Sequence, residues 1–514
     1  MHLGVTCLVI SIVCSAALEQ GRSSWTGKLL VVPMDGSHWT GVKAVVEEMG
    51  RRGHTVIVVI PEISMRLGPG KHYITKTFPI TYGQDLINQM IGEHVHELTE
   101  PEQFMRNAFN YMASTTESLL KSRELIEFLR EQNFDAVLTD PALPMGAILA
   151  YNLSVPAVYM LRGLLCEAAA TGSPDPPSYI PRFFTQYSNR MSFSQRVLNV
   201  FVSMLEPLIC KFVYWPFEEL TYNFLQRDMS LIEILSTGAV WLMRYDFSLE
   251  FPKPLMPIMQ LIGGINYGIR NPLKKEVEEF VKGSGEHGIV VFSLGSLVSS
   301  MPKEKAAIFF KAFSMIPQRV LWRYTGEIPD DVPENVKLMK WLPQNDLLGH
   351  PKAKAFITHG GTHGIYEGIC HGVPMVMLPL FGDQGDNVHR VATRGVGVVL
   401  SIHDITAETL VDALNTVIND SSYKQRMEKL SAIHNDRPMQ PLDLAVYWTE
   451  FVMRHKGADH LRPAAHDLNW LQYHSLDVIG FLLFIVLIIT LATFKCCALC
   501  WRRCCRKSQK RKED

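Results

Sequence analysis

One histidine and one aspartate follow two different predicted strands in the first half of the chain. His38 lies in the loop Asp35–Trp39 after the first apolar segment, and Asp140 comes directly after the segment that ends at Thr139. A carboxylate on one ring nitrogen would orient the imidazole and stabilise its protonated form, so the pair could take a proton from a phenol or alcohol. A single loop histidine is more often structural than catalytic. The residues alone therefore leave both interpretations open.

A second concentration of polar residues runs from Trp341 to Gln384. Within it, the apolar segment 355–358 is a predicted strand, and the sequence His-Gly-Gly-Thr at 359–362 is a predicted tight turn into a helix. Glycines let the backbone approach a ligand closely, and a helix N-terminus offers free N–H groups to phosphate oxygens. An ordinary strand–turn–helix would explain the two glycines, but it would not explain the polar residues around them.

This window of 44 residues resembles the signature of the UDP-glycosyltransferases, and nearly the whole chain is similar to the vertebrate UDP-glucuronosyltransferases. The resemblance implies that Trp341 stacks on uracil, that Gln344 contacts the nucleoside and that Glu367 binds the ribose hydroxyls. Further donor-binding residues implied in the same way are Thr358, His359, Gly361 and Ser293 for the diphosphate, and Asp383 and Gln384 for the sugar hydroxyls.

Two further residues concern the sugar. Arg244 resembles the arginine with which glucuronosyl enzymes bind the sugar carboxylate, for which a bidentate guanidinium is well suited. Without the family context, a surface or linker arginine would be an equally good interpretation. His363 stands where the family often has asparagine, so its implied binding role is less specific.

The same resemblance assigns His38 as the catalytic base and Asp140 as its partner. The implied reaction is an inverting transfer of glucuronic acid from UDP-glucuronate to hydroxyl, amine or carboxyl groups of small lipophilic acceptors, for detoxification and elimination. Charge on the departing diphosphate would be stabilised by the helix N-terminus and His359. The donor half contains no Asp-x-Asp motif, and no Cys/His set has ligand spacing, so we expect no metal and no cofactor besides the co-substrate.

The elements that position these residues are predicted to be alternating strands and helices. Continuous apolar segments at 28–33 and 55–60, with a helical stretch between them, predict a βαβ unit and a parallel sheet. The other predicted strands are 135–139, 155–160, 288–293, 319–324, 336–340, 355–358 and 373–379, with helices at 102–132, 303–315 and 364–372. We predict an α/β fold of two doubly wound Rossmann-like domains facing a central cleft (GT-B), 18–265 for the acceptor and 266–460 for the UDP-sugar, joined by a proline-rich linker at 251–271.

Both ends of the chain indicate a membrane protein. Residues 1–17 are a predicted signal peptide, and 478–494 form a run of 17 uncharged residues that predicts a transmembrane helix. The tail 495–514 is basic, which places it in the cytosol and the catalytic part in a lumen. Lys510 and Lys512 resemble a retrieval signal of the endoplasmic reticulum. We therefore expect a single-pass type I protein of that membrane.

Three cysteines, Cys166, Cys210 and Cys370, remain in the predicted lumenal part, and their odd number predicts a fold that does not depend on disulfides. Asn152 and Asn419 begin glycosylation sequons. The cysteines of the tail could be palmitoylated, could bind metal or could simply be reduced.

The segment 197–214 is strongly apolar but contains Glu206 and Pro207, which makes it too interrupted to span a bilayer. A buried pair of amphipathic helices is the preferred interpretation, and a segment that dips into the membrane is the alternative.

The charge distribution argues against a nucleic-acid partner, because the tail carries a net positive charge while the rest of the chain carries a net negative one. The expected partners are a UDP-sugar, a lipophilic acceptor, the lipid bilayer and, as a further option, a homo- or hetero-oligomer with related transferases. Two alternatives to glucuronosyl transfer stay open: a related enzyme that uses UDP-glucose, UDP-galactose or UDP-N-acetylglucosamine, and a catalytically silent UDP-binding subunit.

Overall fold

A computed structural model describes residues 25–87, 101–268, 270–296 and 298–510. Residues up to Leu461 form one unit and those from Arg462 onward another. The predicted signal peptide, residues 1–17, lies outside the described residues.

The front half of the first unit is built on a parallel sheet of seven strands in the order β3-β2-β1-β4-β5-β6-β7. The strands are β1 (Lys28–Val32), β2 (Thr55–Pro61), β3 (Ile74–Phe78), β4 (Ala136–Thr139), β5 (Ala157–Leu161), β6 (Val240–Met243) and β7 (Met259–Leu261). The helices are α1 (Ser37–Arg51), α2 (Pro101–Lys121), α3 (Arg123–Glu131), α4 (Met145–Leu153), α5 (Glu167–Thr171), α6 (Phe193–Leu225) and α7 (Leu231–Leu235).

The back half is built on a parallel sheet of six strands in the order β10-β9-β8-β11-β12-β13. The strands are β8 (Ile289–Ser293), β9 (Arg319–Arg323), β10 (Val336–Met339), β11 (Ala353–Thr358), β12 (Met375–Met377) and β13 (Gly397–Val399). The helices are α8 (Lys275–Lys282), α9 (Lys303–Ser314), α10 (Gln344–Leu348), α11 (Thr362–Cys370), α12 (Gln384–Thr393), α13 (Ala407–Asn419), α14 (Ser421–Asn435) and α15 (Pro441–His455).

The α/β class and the two doubly wound parallel sheets are confirmed, and each predicted strand overlaps an observed one. Four strands were not predicted: β3, β6, β7 and β13. β3 has three consecutive polar residues at 75–77, and only its last residue is buried, whereas β7 and β13 are only three residues long. β7 lies inside the predicted linker, so that segment is partly sheet. The predicted helix 102–132 is two helices separated at Ser122.

Helix α15 lies in the range expected to form the UDP-sugar domain but packs on the front sheet. Its buried residues Ala445, Val446 and Met453 belong to the same apolar core as Leu29 and Val42. The chain therefore returns to the front half after completing the back half.

The prediction of a buried helix pair at 197–214 is wrong. α6 is one helix of 33 residues, started by a capping box at Ser192, and Pro207 lies inside it. One proline removes a hydrogen bond and can kink a helix without ending it. Much of its apolar surface is exposed, including Phe201, Met204, Leu208, Phe212 and Trp215. By length and composition alone, α6 is one of two described helices that could cross a membrane.

The second such helix belongs to the second unit. This unit contains α16 (Trp470–Tyr473) and α17 (Leu476–Lys510), and the candidate membrane span runs from Leu476 to Arg503. The predicted transmembrane segment 478–494 lies wholly within it. Lys512 of the predicted retrieval signal lies outside the described residues.

The cysteine pattern did not predict the one disulfide that the described residues contain. Cys166, which precedes α5, is bonded to Cys210 of α6, with the two Cα atoms 5.8 Å apart. The bridge covers 44 residues of sequence, and three widely spaced cysteines give no pattern from which a pair can be chosen. The bond attaches α6 to the loop that follows β5. Cys370 is free.

Candidate active site

The candidate base and its partner come from neighbouring strands. β1 pairs with β4 so that Val32 lies opposite Thr139, and the residues after these strands therefore meet at one edge of the sheet. His38, in the first turn of α1, places Nδ1 2.6 Å from Oδ2 of Asp140. This contact commits Nδ1 to the carboxylate and leaves Nε2 as the nitrogen that can accept a proton.

Asp140 is buried behind the histidine. Burial alone would raise the pKa of its carboxyl, but the charge of His38 and the hydrogen bond to His38 outweigh that effect, and the pKa lies below its ordinary value. The carboxylate also accepts the N–H of Ala142 at 3.0 Å. The side chain therefore stays ionised and in place beside the ring.

Asp35 has a role that the sequence did not indicate. Its carboxylate accepts backbone N–H groups from Gly36 at 2.6 Å, Met65 at 2.7 Å and Arg66 at 3.0 Å. It thereby connects the turn that leads into α1, and with it His38, to the loop between β2 and β3. Gly36 adopts φ 74°, a conformation that favours glycine.

The candidate diphosphate cradle lies where β11 ends and α11 begins. Thr358 ends the strand, and the N-terminus of α11 has no side-chain cap, so its N–H groups are open to a ligand. A Cβ on Gly295 or Gly361 would come within 2.5 Å of the His359 ring, so both positions must be glycine for the ring to fit. The imidazole is therefore held between two loops of the back half.

His359 itself is a neutral donor or acceptor. Burial lowers the pKa of its imidazole to about 4. Its buried Nδ1 has no hydrogen-bond partner within the part of the chain that the structure describes. A bound phosphate oxygen could be bonded by this side chain without a change in its charge.

The predicted nucleoside contacts also lie together. Trp341 exposes 64% of its surface, so the indole is accessible to a ligand that enters the cavity. The amide nitrogen of Gln344 donates to Oε2 of Glu367 at 2.5 Å. Burial raises the pKa of Glu367 to about 7, which leaves this carboxyl close to half-ionised at neutral pH.

At the predicted sugar end, the side chains are held by the start of α12. Gln384 accepts the backbone N–H groups of Leu380 and Phe381 at 2.7 and 3.2 Å through its amide oxygen. Asp383 accepts a hydrogen bond from Asn387 at 2.9 Å. Asn387, which the sequence analysis missed, is fully buried, donates to Gly360 O and accepts from Arg162 of the front half at 3.0 Å. Its position one helical turn after Asp383 was the available signal.

His363 joins the two halves of the site. Its Nε2 is 3.1 Å from the carbonyl oxygen of Ser37 and 2.9 Å from Nη1 of Arg244, and its Nδ1 contacts Asn266. Burial, reinforced by the charge of Arg244, lowers the pKa of His363 to about 3, so the ring is neutral. The helix that forms the cradle therefore begins directly beside the residue that precedes His38.

Of the catalytic and donor-binding residues predicted from the sequence, all except Asp140 line one cavity of about 380 Å³. The residues predicted from the sequence that line it are His38, Arg244, Ser293, Trp341, Gln344, Thr358, His359, Gly361, His363, Glu367, Asp383 and Gln384. Asp140 lies behind His38. One space thus contains a candidate base and the complete predicted donor site.

The two sequons lie away from this cavity. Asn152 is on α4 and accepts a hydrogen bond from Arg130 at 3.1 Å, while Asn419 is the exposed last residue of α13. Glycosylation at either position stays a prediction.

Comparison with solved structures supports the same architecture. A UDP-glucosyltransferase from Polygonum tinctorium, solved in a complex with 3,4-dichloroaniline, superposes with a TM-score of 0.58 at 16% identity, covering 84% of this chain and 99% of that one. The calicheamicin glycosyltransferase CalG4 superposes with a TM-score of 0.55 at 18% identity, with the same coverage. These likenesses show the GT-B fold.

Sequence comparison is more specific. Residues 27–511 match the family described as UDP-glucoronosyl and UDP-glucosyl transferase. Human UDP-glucuronosyltransferase 1A6 is 53% identical over 492 residues, which are 93% of this chain and 92% of the relative. Human UDP-glucuronosyltransferase 1A1 is 48% identical over 496 residues, which are 94% and 93% of the two chains. With the matched region and the site geometry in agreement, the chain belongs to the family of UDP-glucuronosyl and UDP-glucosyl transferases.

Proposed function

We propose that the protein transfers glucuronic acid from UDP-glucuronate, with inversion, to hydroxyl, amine or carboxyl groups of small lipophilic acceptors. The observation that carries this proposal is that His38 and the diphosphate cradle line the same cavity, with His363 of the cradle helix 3.1 Å from the carbonyl of Ser37. Relatives about half identical over almost the whole length are named UDP-glucuronosyltransferases.

The proposed step is a single displacement. The acceptor O–H gives its proton to Nε2 of His38, and the acceptor oxygen forms a bond to the anomeric carbon. The bond from that carbon to the diphosphate oxygen breaks on the opposite face, and UDP leaves with the electron pair. Asp140 stabilises the imidazolium and fixes its orientation, as the carboxylate does in a Ser-His-Asp triad.

Charge on the departing diphosphate would be stabilised by the protein alone. The open N–H groups at the start of α11 and the side chain of His359 face the cavity. Fixed donors of this kind stabilise developing negative charge without reorganisation. Together with the lack of an Asp-x-Asp motif in the donor half, they support the proposal that catalysis needs neither a metal nor a further cofactor.

The proposed location is the membrane of the endoplasmic reticulum, with the catalytic unit in the lumen and the basic tail in the cytosol. The Cys166–Cys210 disulfide supports an oxidising compartment, and α17 is long and apolar enough for an anchor. The exposed apolar face of α6 supports the proposal that the acceptors partition into lipid. We also propose that the protein associates with itself or with related transferases.

Replacing the base tests the mechanism. For His38→Ala we expect kcat for an alcohol acceptor to fall by about 100-fold or more, because general-base catalysis contributes factors of this size. The loss should be smaller for an acidic phenol that is already ionised, and the affinity for UDP should be unchanged. Transfer assays and calorimetry measure these quantities. The matched control is His403→Ala, an exposed histidine of the back half. Equal losses for both acceptors would argue against a base.

The high pKa of Glu367 predicts a pH dependence of nucleoside binding. Below pH about 7 the carboxyl is protonated, and above it the ionised carboxylate is an acceptor for two ribose hydroxyls. Uridine affinity, measured by calorimetry, should therefore increase as the pH rises through 7. The dependence should disappear in Glu367→Gln and for 2′,3′-dideoxyuridine. If the wild-type affinity for uridine is flat from pH 6 to 8, the ribose role of Glu367 is wrong.

The preference for one UDP-sugar over another tests the role of Arg244 and distinguishes between the alternative functions. For Arg244→Leu we expect kcat/KM to fall about 10- to 100-fold with UDP-glucuronate, the range for a lost charge-assisted hydrogen bond, and much less with UDP-glucose. Arg244→Lys should fall in between. Equal losses with both sugars would mean that Arg244 acts only through its contact with His363. A wild-type preference for UDP-glucose would favour the other hexosyltransferase, and no transfer to any acceptor would favour the silent subunit.

A further inference from the structure

Two arginines from opposite halves converge on the indole of Trp341. Arg66 lies in the loop between β2 and β3 of the front half, and Arg323 ends β9 of the back half. Their guanidinium carbons are 5.5 and 5.7 Å from the Trp341 ring centroid. Nη2 of Arg66 donates to the carbonyl oxygen of Ser296 at 3.0 Å, and Nη1 of Arg323 donates to that of Gly295. Both arginines line the cavity.

The guanidinium groups of Arg66 and Arg323 are not neutralised by a carboxylate of the described residues. Within residues 25–87, 101–268, 270–296 and 298–510, neither guanidinium forms an ion pair with a carboxylate, and Nε of Arg323 is buried without a hydrogen-bond partner. Burial lowers the pKa of both side chains, and the charge of Arg66 lowers that of Arg323 further. Asp35 offsets part of the effect on Arg66, but its oxygens bond to backbone N–H groups. Partly desolvated like charges are costly unless a counter-charge joins them.

The position of Arg66 is fixed by the loop that carries the base. Asp35 accepts the backbone N–H groups of both Met65 and Arg66, and it lies three residues before His38. The Arg66 side chain then extends from this anchor across the cavity to Ser296 of the back half. A ligand bound by Arg66 is therefore connected to the loop of the catalytic base.

We propose that Arg66 is a donor-binding residue supplied by the acceptor half of the enzyme, and that its guanidinium pairs with the diphosphate of the UDP-sugar. This inference rests on the proposed function and deepens it. The uracil and a guanidinium cannot occupy the same place over Trp341, so the stacked base leaves Arg66 beside the phosphates that follow it. The diphosphate supplies the counter-charge that Arg66 and Arg323 lack.

The test compares a nucleoside with its diphosphate on the purified full-length protein in detergent. For Arg66→Met we expect the Kd for UDP to rise about 10- to 100-fold, the range for a charge-assisted bidentate contact, while the Kd for uridine changes less than about threefold. The dependence of UDP affinity on salt concentration should become shallower. The KM for UDP-glucuronate should rise with the Kd for UDP. Arg66→Lys should retain part of the affinity for UDP. The matched control is Arg51→Met, whose exposed guanidinium pairs with Glu48 on the outer surface of α1.

Each outcome decides one point. If the wild type does not bind UDP, the proposed function fails. If the wild type binds UDP and Arg66→Met binds it equally well, the proposed function stands and the inference is overturned. Equal weakening for uridine and UDP also overturns it, because Arg66 would then only support Trp341. If Arg66→Met does not fold, Arg66→Lys decides by the same comparison: a smaller weakening for UDP alone supports the inference, and unchanged affinity for UDP contradicts it.

Discussion

The contact between His363 and the carbonyl of Ser37 sets the distance between the two parts of the site. His363 lies in the first turn of the helix whose N-terminus forms the cradle, and Ser37 precedes the candidate base. Both helices start at the carboxyl ends of parallel strands, where ligands bind in doubly wound sheets. The imidazole of His38 and the start of α11 line the same cavity.

Buried charges hold the two halves in this relation. Glu250, in the segment that joins β6 to β7, pairs with Arg162 after β5 and with Arg390 of α12, the latter at 3.0 Å. Asp246 forms an ion pair with Arg437 and a hydrogen bond, at 2.8 Å, with His434 of α14, whose ring is neutral because burial lowers its pKa. Removing one member of a buried pair typically costs about 3–5 kcal/mol, because the remaining charge is left uncompensated. The ion pairs therefore favour one relative placement of the halves.

The sequence predicted much of the fold and most of the residues that line the candidate cavity, because their signals were local, and the roles assigned to those residues stay predictions. Buried parallel strands are continuous apolar segments; Asp140 follows one of them directly, and His38 comes shortly after another. The sequence allowed these two residues to lie close together, but only the pairing of β1 with β4 in the structure shows that they do. Arg66, Asp35 and Asn387 were missed because their roles arise from contacts between segments distant in sequence. The Cys166–Cys210 bond was missed for the same reason, since pairing is a property of the folded chain.

Helix α6 is an element whose sequence led to a wrong prediction. Its sequence has an apolar composition and an internal proline, and these were interpreted as a buried, broken element, whereas the helix is continuous and its apolar side chains are exposed. Hydrophobicity indicates what avoids water, but it does not say whether protein or lipid replaces the water. The role of such a surface is decided by its surroundings.

The anomeric configuration of the product tests the central claim most directly. If His38 delivers the acceptor from the face opposite the cradle, α-linked UDP-glucuronate must give a β-linked conjugate. Proton NMR of the product formed in the first turnovers measures the configuration through the coupling of the anomeric proton. The account predicts the β-glucuronide alone. An α-glucuronide would contradict it, because the acceptor would then have attacked from the side of the diphosphate.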